Sequence, residues 1–266
     1  MAKIIKKGRQ LEEKYLAIEQ ERNNRSEEAV KKFCKFAICS IVIWSIFAVI
    51  SVVIDIFSIT LIVITICLEI GLIIALFGHM NIDILSDTTD TDILASGISG
   101  ERIATKILSK LPDGYTIFQN VTINYDGKTS EIDNIVVGRS GVFIVETKNH
   151  NGSIAGNYEE AYWTQYKVGR GGTPYEKEIY SPIKQVGTHI YRLANYLRQS
   201  GANTYIEGMV YFTHEECEVR ITGSGPISVY TSFNNDEALL YRRILEGEHR
   251  LSIESIKHIC KLLSQL

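Results

Sequence analysis

Three side chains able to do acid–base or metal chemistry, Asp133, Glu146 and Lys148, stand in two apolar stretches, "SEIDNIVVG" and "GVFIVETK". Val142 to Val145 are consecutive apolar residues that read as a strand buried on both faces, yet the strand ends on a carboxylate and an ammonium two positions apart. Side chains alternate faces along a strand, so Glu146 and Lys148 point the same way, roughly 6 to 7 Å apart. Asp133 shares its face with Ile135 and Val137, and a buried charge is costly unless it is paired or metal-bound. In an antiparallel hairpin the start of one strand lies near the end of the next, which lets Asp133 approach Glu146 and Lys148 across the ladder. Two acids converging beside an amine suit one divalent ion such as Mg²⁺ (or Mn²⁺), since Mg²⁺ takes oxygen ligands and keeps several waters. The lysine would orient or help deprotonate a water, or offset charge building on a phosphate. A strand that has simply reached solvent, with Asp133 capping a turn, uses the same residue types.

The elements that must hold these residues begin near Gly97. Ser99 and Gly100 precede "ERIATKILSKL", where Ile103, Ile107, Leu108 and Leu111 recur at helical spacing, and "PDG" at 112–114 stops the helix. "YTIFQNVTI", the turn "DGK" at 126–128, "SEIDNIVVG" and "GVFIVETK" then predict three strands joined by short turns. A polar, Gly-containing stretch runs from Asn149 to Tyr180, a helix is expected from about Pro182 to Gln199, and "YIEGMVYFT" reads as a further strand. "GRGG" at 169–172 lacks the preceding strand and following Lys-Ser/Thr of a P-loop and is read as a flexible loop. The C-terminal "NNDEALLYRRILEGE" and "SIESIKHICKLLSQL" predict two amphipathic helices starting at polar caps and packing on the domain. Helix, three strands, helix, strand is an α/β order, with one mixed (α+β) sheet and helices packed on it.

The N-terminal third has a different character. Phe36 to Ile54 contains no charged residue and Ile56 to Gly78 contains only Glu69; each is long enough to cross a bilayer core, which takes about 20 helical residues. With "IDIFS" at 54–58 as the turn, a transmembrane helical hairpin is expected over 36–78. Ten Lys and Arg precede it within residues 1–35 and none lies in the turn, so the positive-inside rule puts both chain ends in the cytoplasm of a multi-pass cell-membrane protein. Residues 1–35 are read as a basic juxtamembrane helix, with Leu11, Tyr15 and Ile18 at helical spacing, and residues 79–96 as an acidic linker. Glu69, near the middle of the second span, costs about 2.5 to 3.5 kcal/mol or more there unless paired, neutralised or facing protein. It is expected, protonated, at a helix–helix contact, which would permit a homo-oligomer through the hairpin.

Cysteines at 34, 39, 67, 217 and 260 form no CxxC pair, which argues against zinc and a disulfide framework and suits a reducing compartment. Residues 97–200 hold twelve basic and ten acidic side chains, a balance that permits a phosphate-bearing partner without demanding one.

"SEIDNIVVGRSGVFIVETKNHNGSIAG" resembles the core of the nuclease-related (NERD) domain of the PD-(D/E)XK, restriction-endonuclease-like superfamily. "GISGE" at 97–101, "LPDGY" at 111–115, Trp163 and "SPIKQVGTHIYRL" at 181–193 fall in the family's order. The resemblance covers roughly 97–213, leaving 214–266 as a C-terminal extension. It implies a restriction-endonuclease-like core with Asp133 and Glu146 as metal-binding acids, Lys148 as the catalytic lysine, Glu101 as an additional acid on the first helix and Gln185 as the polar residue offered by the second. His189 shares a helix face with Gln185 at i, i+4, as a site residue or a packed structural one. Glu131, Asn134 and His150 depart from the family pattern, at positions where Gln, His and an aromatic are usual. The implied function is a membrane-anchored, metal-dependent nuclease acting on nucleic acid, DNA ahead of RNA. The alternative is an anchored binding or scaffold protein that keeps the fold with little or no turnover.

Overall fold

The computed structural model describes residues 1–8, 10–54, 66–71, 91–169 and 171–266. The chain forms two compact units, one made of Met1–Gln10 and Ser96–Leu266, the other of Leu11–Ala95.

In the first unit a six-stranded sheet is built from β1 (Lys3–Lys6), β2 (Thr116–Tyr125), β3 (Lys128–Gly138), β4 (Gly141–Lys148), β8 (Ile206–Phe212) and β10 (Ser228–Thr231), in the order β1-β2-β3-β4-β8-β10. β2, β3 and β4 form an antiparallel meander. β1 adds to β2, β8 to β4 and β10 to β8 in parallel. The period-two alternation splits the sheet into two packed faces. Ile117, Val136, Phe143, Val145, Met209 and Tyr211 meet Ala104 and Leu108 of α2, a helix over 91–108, and Leu111 just past its end, with Leu240 and Ile244 of α4 (Glu237–Leu245). Phe118, Ile135, Ile144, Val210 and Phe212 face the other way, onto Val186, Leu193 and Leu197 of α3 (Pro182–Gln199) and Ile259 and Leu263 of α5 (Ile253–Gln265). The order helix, three strands, helix, strand is therefore the one expected, within a mixed α/β core.

Three parts of this unit differ from the sequence reading. The polar stretch from Asn149 to Tyr180 contains β5 (Gly152–Asn157), β6 (Tyr162–Val168) and β7 (Pro174–Tyr180), which with β9 (Cys217–Thr222) make a second sheet ordered β7-β6-β5-β9. Only one face of it is apolar, through Ile154, Trp163 and Cys217. Residues Lys3–Lys6, expected within a juxtamembrane helix, are a strand on the edge of the main sheet. Their backbone supplies what the open edge of β2 lacks, and Ile5 packs on the core. The segment after Thr213 packs on the domain through α4 and α5 as expected, but also adds two strands to the sheets, β9 pairing with β5 and β10 with β8.

In the second unit α1 runs unbroken over Gln10–Ile54, taking in both the charged stretch and the first expected span. A short helical piece follows at 66–71, and the rest of the second expected span, its turn and most of the acidic linker lie outside the described residues. Among the described residues no helix is long and apolar enough to cross a membrane. Ser40 Oγ donates to Glu69 Oε1 at 2.9 Å and Trp44 Nε1 to Glu69 Oε2 at 2.6 Å. Glu69 thus meets α1 of its own chain, as a helix–helix contact should, but with both oxygens already hydrogen-bonded. A partner copy is not required to satisfy it.

Candidate active site

The register of the meander sets the site. Ile135 pairs with Ile144, the last pairing toward the open end, so beyond it β3 and β4 splay, with Asp133 and Glu146 on the α3 side of the sheet. The gap is bridged by the Thr147 N–H, which donates to Asp133 Oδ2 at 2.8 Å. On the α2 side Asn134 binds Val145 O at 3.2 Å and accepts from Gln119 Nε2 at 3.0 Å, tying β2, β3 and β4 just behind the acids. β2 is itself distorted here. Asn120 has φ 53°, breaking the pairing with Asp133 between Gln119–Asn134 and Val121–Ile132, and its Nδ2 reaches Glu101 Oε2 at 3.2 Å.

Two glycines bring the helices close enough. A Cβ on Gly100 would lie 2.7 Å from Asn149 Cβ and 3.0 Å from Thr213 Oγ1, so its absence lets α2 settle on the ends of β4 and β8, with Glu101 next in line. A Cβ on Gly208 would lie 2.4 Å from Val186 Cγ1 and 2.7 Å from Ile190 Cδ1. There α3 sinks onto β8 and delivers Gln185 and His189, the residues immediately before those two. The helix is started by Ser181, whose side chain accepts from Lys184 N, with Pro182 in the first turn.

Glu146, 1% exposed, and Lys148 form the centre. Lys148 Nζ donates to Glu146 Oε1 at 2.8 Å and to Gln185 Oε1 at 2.9 Å. His189 Nε2 lies 3.4 Å from both Glu146 Oε2 and Gln185 Nε2. Burial works against the Glu146 carboxylate, but the Lys148 ammonium and His189 outweigh it and hold its pKa below the ordinary range. For Lys148 burial is likewise overcome, by Glu146 and Asp133, and its pKa is raised. Asp133 goes the other way. Burial and then the Glu146 charge push its carboxyl well above the usual value, against Lys148 and the Thr147 N–H. Glu131 is also raised, by burial and by Glu101 and Glu146. Glu101, Glu131, Asp133 and Glu146 therefore feel one another, and all five expected site residues, with His189, converge on one place.

Sequence reasoning missed Asn120 and the Thr147 backbone, whose roles come from register and a positive φ that no residue type announces. A third contributor was hidden just past the N-terminal strand: a Cβ on Gly8 would lie 3.1 Å from Asn120 O and 3.8 Å from Glu131 Oε1.

Glu146 Oε2 is buried without a hydrogen-bond partner, as is His189 Nδ1. A buried carboxylate oxygen whose neighbour is a His189 nitrogen at 3.4 Å, beside a second carboxyl that burial keeps from ionising, would suit a pair of oxygen ligands to a divalent cation. Among the described residues no group of three or more His, Cys, Asp and Glu side chains is arranged as a metal cage. The oxygen donors of Asp133 and Glu146 are of the kind that fit Mg²⁺ or Mn²⁺ and not a structural zinc.

Residues 96–213 match the family model described as "Nuclease-related domain". An uncharacterised protein of Bacillus anthracis is 46% identical over 71 residues, 26% of this chain and 34% of its own length, so the chain spans about a third of that relative. No solved structure matches the chain.

Proposed function

Because residues 96–213 carry a nuclease-related domain, we propose that the protein is a metal-dependent nuclease that hydrolyses nucleic-acid phosphodiester bonds, DNA ahead of RNA, while anchored at the cytoplasmic face of a membrane. The observation that carries the reading is the convergence of Asp133 with the buried Glu146 carboxylate beside Lys148.

Asp133 and Glu146 would hold the ion. When bound, a divalent cation polarises a phosphoryl oxygen and lowers the pKa of a water. The protein's own contribution is positional. Lys148 spends two of its three N–H donors on Glu146 and Gln185, which fixes the ammonium and leaves the third for a phosphate oxygen as charge develops. Gln185 and His189 hold Lys148 and Glu146 from α3. Thr147 N–H keeps Asp133 turned toward Glu146 although the ladder has opened there. Glu101 and Glu131 add negative charge at the rim, which favours a cation and means that substrate phosphates need positive charge supplied elsewhere.

Anchoring is supported by the sequence of α1 and by its surface. Ile38, Val42, Ile46 and Ile50 recur every four residues and are each more than 40% exposed, an apolar stripe that suits lipid or another apolar surface. The test of the whole reading is cleavage of single-stranded DNA, duplex DNA and RNA by the full chain with Mg²⁺ or Mn²⁺, alongside its melting temperature. Metal should raise the melting temperature, Asp133→Ala should abolish that rise, and wild type that cuts none of the three would put the binding or scaffold role first.

A further inference from the structure

The second sheet has two unlike faces. Direct partners in an antiparallel ladder share a face. Tyr162–Tyr180, Thr164–Glu178 and Tyr166–Glu176 therefore lie on one side, Trp163–Ile179, Gln165–Lys177 and Lys167–Tyr175 on the other. The second side begins as core, with Trp163 buried and Ile179 packed beside it. Toward the β6–β7 turn it becomes Lys177, Lys167 and Tyr175, while the acids Glu176 and Glu178 stay on the opposite side.

This basic end adjoins the candidate active site. β4 ends on Lys148, and His150 and Asn151 lead straight into β5. Gln165 Nε2 donates to Asn151 O at 2.7 Å, and Gln165 is the cross-strand partner of Lys177. A Cβ on Gly152 would lie 3.5 Å from Lys167 Cγ, so the lysine stem runs beside the segment that leaves the catalytic strand. A Cβ on Gly169 would lie 3.8 Å from Tyr175 Cε1, which sets that ring, 47% exposed, against the turn. Burial and the neighbouring Lys148, Lys167 and Lys177 ammoniums push the His150 imidazole down to about 4. Lys167 is lowered by burial and by Lys177. Among the described residues no carboxylate lies within ion-pair distance of Lys167 or Lys177. Cations that repel each other without a counter-ion lack a partner, and the rim of the site, with Glu101 and Glu131, lacks positive charge for phosphates.

We infer that the Lys167, Lys177 and Tyr175 face of the β6–β7 hairpin is a substrate track that binds the phosphate backbone of a nucleic-acid strand leading to Lys148, with Tyr175 stacking a base. The inference rests on the nucleic-acid reading above and deepens it. It commits to a single strand or strand end, since an aromatic can stack only on an unpaired base. Continuity with Lys148 through His150 favours this occupant over an anionic lipid surface.

The test uses the full chain in detergent with EDTA, so that nothing is cut, and fluorescence anisotropy of a labelled 20-nucleotide single strand. Lys167→Ala/Lys177→Ala should weaken binding about tenfold or more at low salt. It should also reduce the slope of log affinity against log salt by about 1.4, roughly 0.7 per lost phosphate contact on a single strand. Lys167→Arg/Lys177→Arg should restore both, Lys257→Ala on α5 should change neither, and Tyr175→Ala should weaken binding with little change in slope. Unchanged affinity and slope in the double alanine variant would overturn the track, as would wild type that does not bind the strand. So would lysine-dependent flotation with phosphatidylserine vesicles alongside unaltered strand binding. Wild type that binds as described yet cuts nothing on adding Mg²⁺ would refute the nuclease reading and leave the track standing.

Discussion

At the scale of single residues, a core strand ending in Glu-Thr-Lys has each residue in a different role. Glu146 is buried against Lys148 and His189, the Thr147 backbone holds Asp133, and the Lys148 ammonium is shared between Glu146 and Gln185. Lys148→Ala and Lys148→Met should both leave the fold and the metal-induced rise in melting temperature in place while slowing cleavage by about 10²-fold or more. Equal cleavage by wild type and Lys148→Ala would remove the lysine from the chemistry. Asp133 gives a pH signature. A carboxyl whose folded pKa is raised stabilises the fold below its unfolded value, near 3.8, and that contribution is lost as pH rises toward the folded value. In EDTA, Asp133→Asn should therefore gain melting temperature over wild type progressively as pH rises above about 4, while showing no response to Mg²⁺. A flat difference across that range would mean that Asp133 ionises without strain. These residues were legible because carboxylates and an ammonium on buried strands demand a reason. Asn120 was not, since an asparagine in a strand says nothing until the broken pair opposite Asp133 is seen.

Among the elements, those with one strong period were readable and those without were not. α3 shows its buried Ile183, Val186, Leu193 and Leu197 at helical spacing, and β4 its apolar run. β6 and β7 conceal theirs, because tyrosines, lysines and glutamates occupy most of both faces and only Trp163 and Ile179 mark the core. β1 is four residues, "KIIK", whose lysines read as membrane-topology signals although its two isoleucines match a strand equally well. The seating of α3 on β8 offers a direct test. Gly208→Ala places a methyl 2.4 Å from Val186 Cγ1, an overpacking worth about 1 to 3 kcal/mol. It should also slow cleavage by tilting Gln185 away from Lys148. Val186→Ala makes a small cavity on its own. Combined, the two should destabilise by less than their sum, by about 0.5 kcal/mol or more, since each relieves the other. Strict additivity in thermal or urea unfolding would show that α3 does not rest on Gly208.

For the whole molecule, the sheet constrains the membrane topology independently of charge. Lys3–Lys6 pair with Thr116–Gln119, with Lys3 N bonded to Tyr115 O and Lys7 N to Gln119 O, so residues 1–8 and residues from 96 onward occupy one compact unit. Whatever Leu11 to Ala95 does, it must leave and return on the same side, which permits two crossings or none and forbids one. On the proposed anchoring, the apolar stretches 36–54 and 56–78 would supply two, and the ten basic residues before them would choose the cytoplasm. In a cysteine-free background, Asp90→Cys and Ala2→Cys should therefore label together: both blocked in intact cells treated with an impermeant maleimide, both reactive once the inner face is opened. The protein should stay in the membrane fraction after a high-salt or alkaline wash. Labelling of one site from each side would dismantle the pairing of β1 with β2. Labelling of both from outside would keep the fold and reverse the orientation, placing the candidate active site away from cytoplasmic nucleic acid. Release of the intact chain by alkaline wash would leave zero crossings, with the exposed stripe of α1 reassigned to a protein partner.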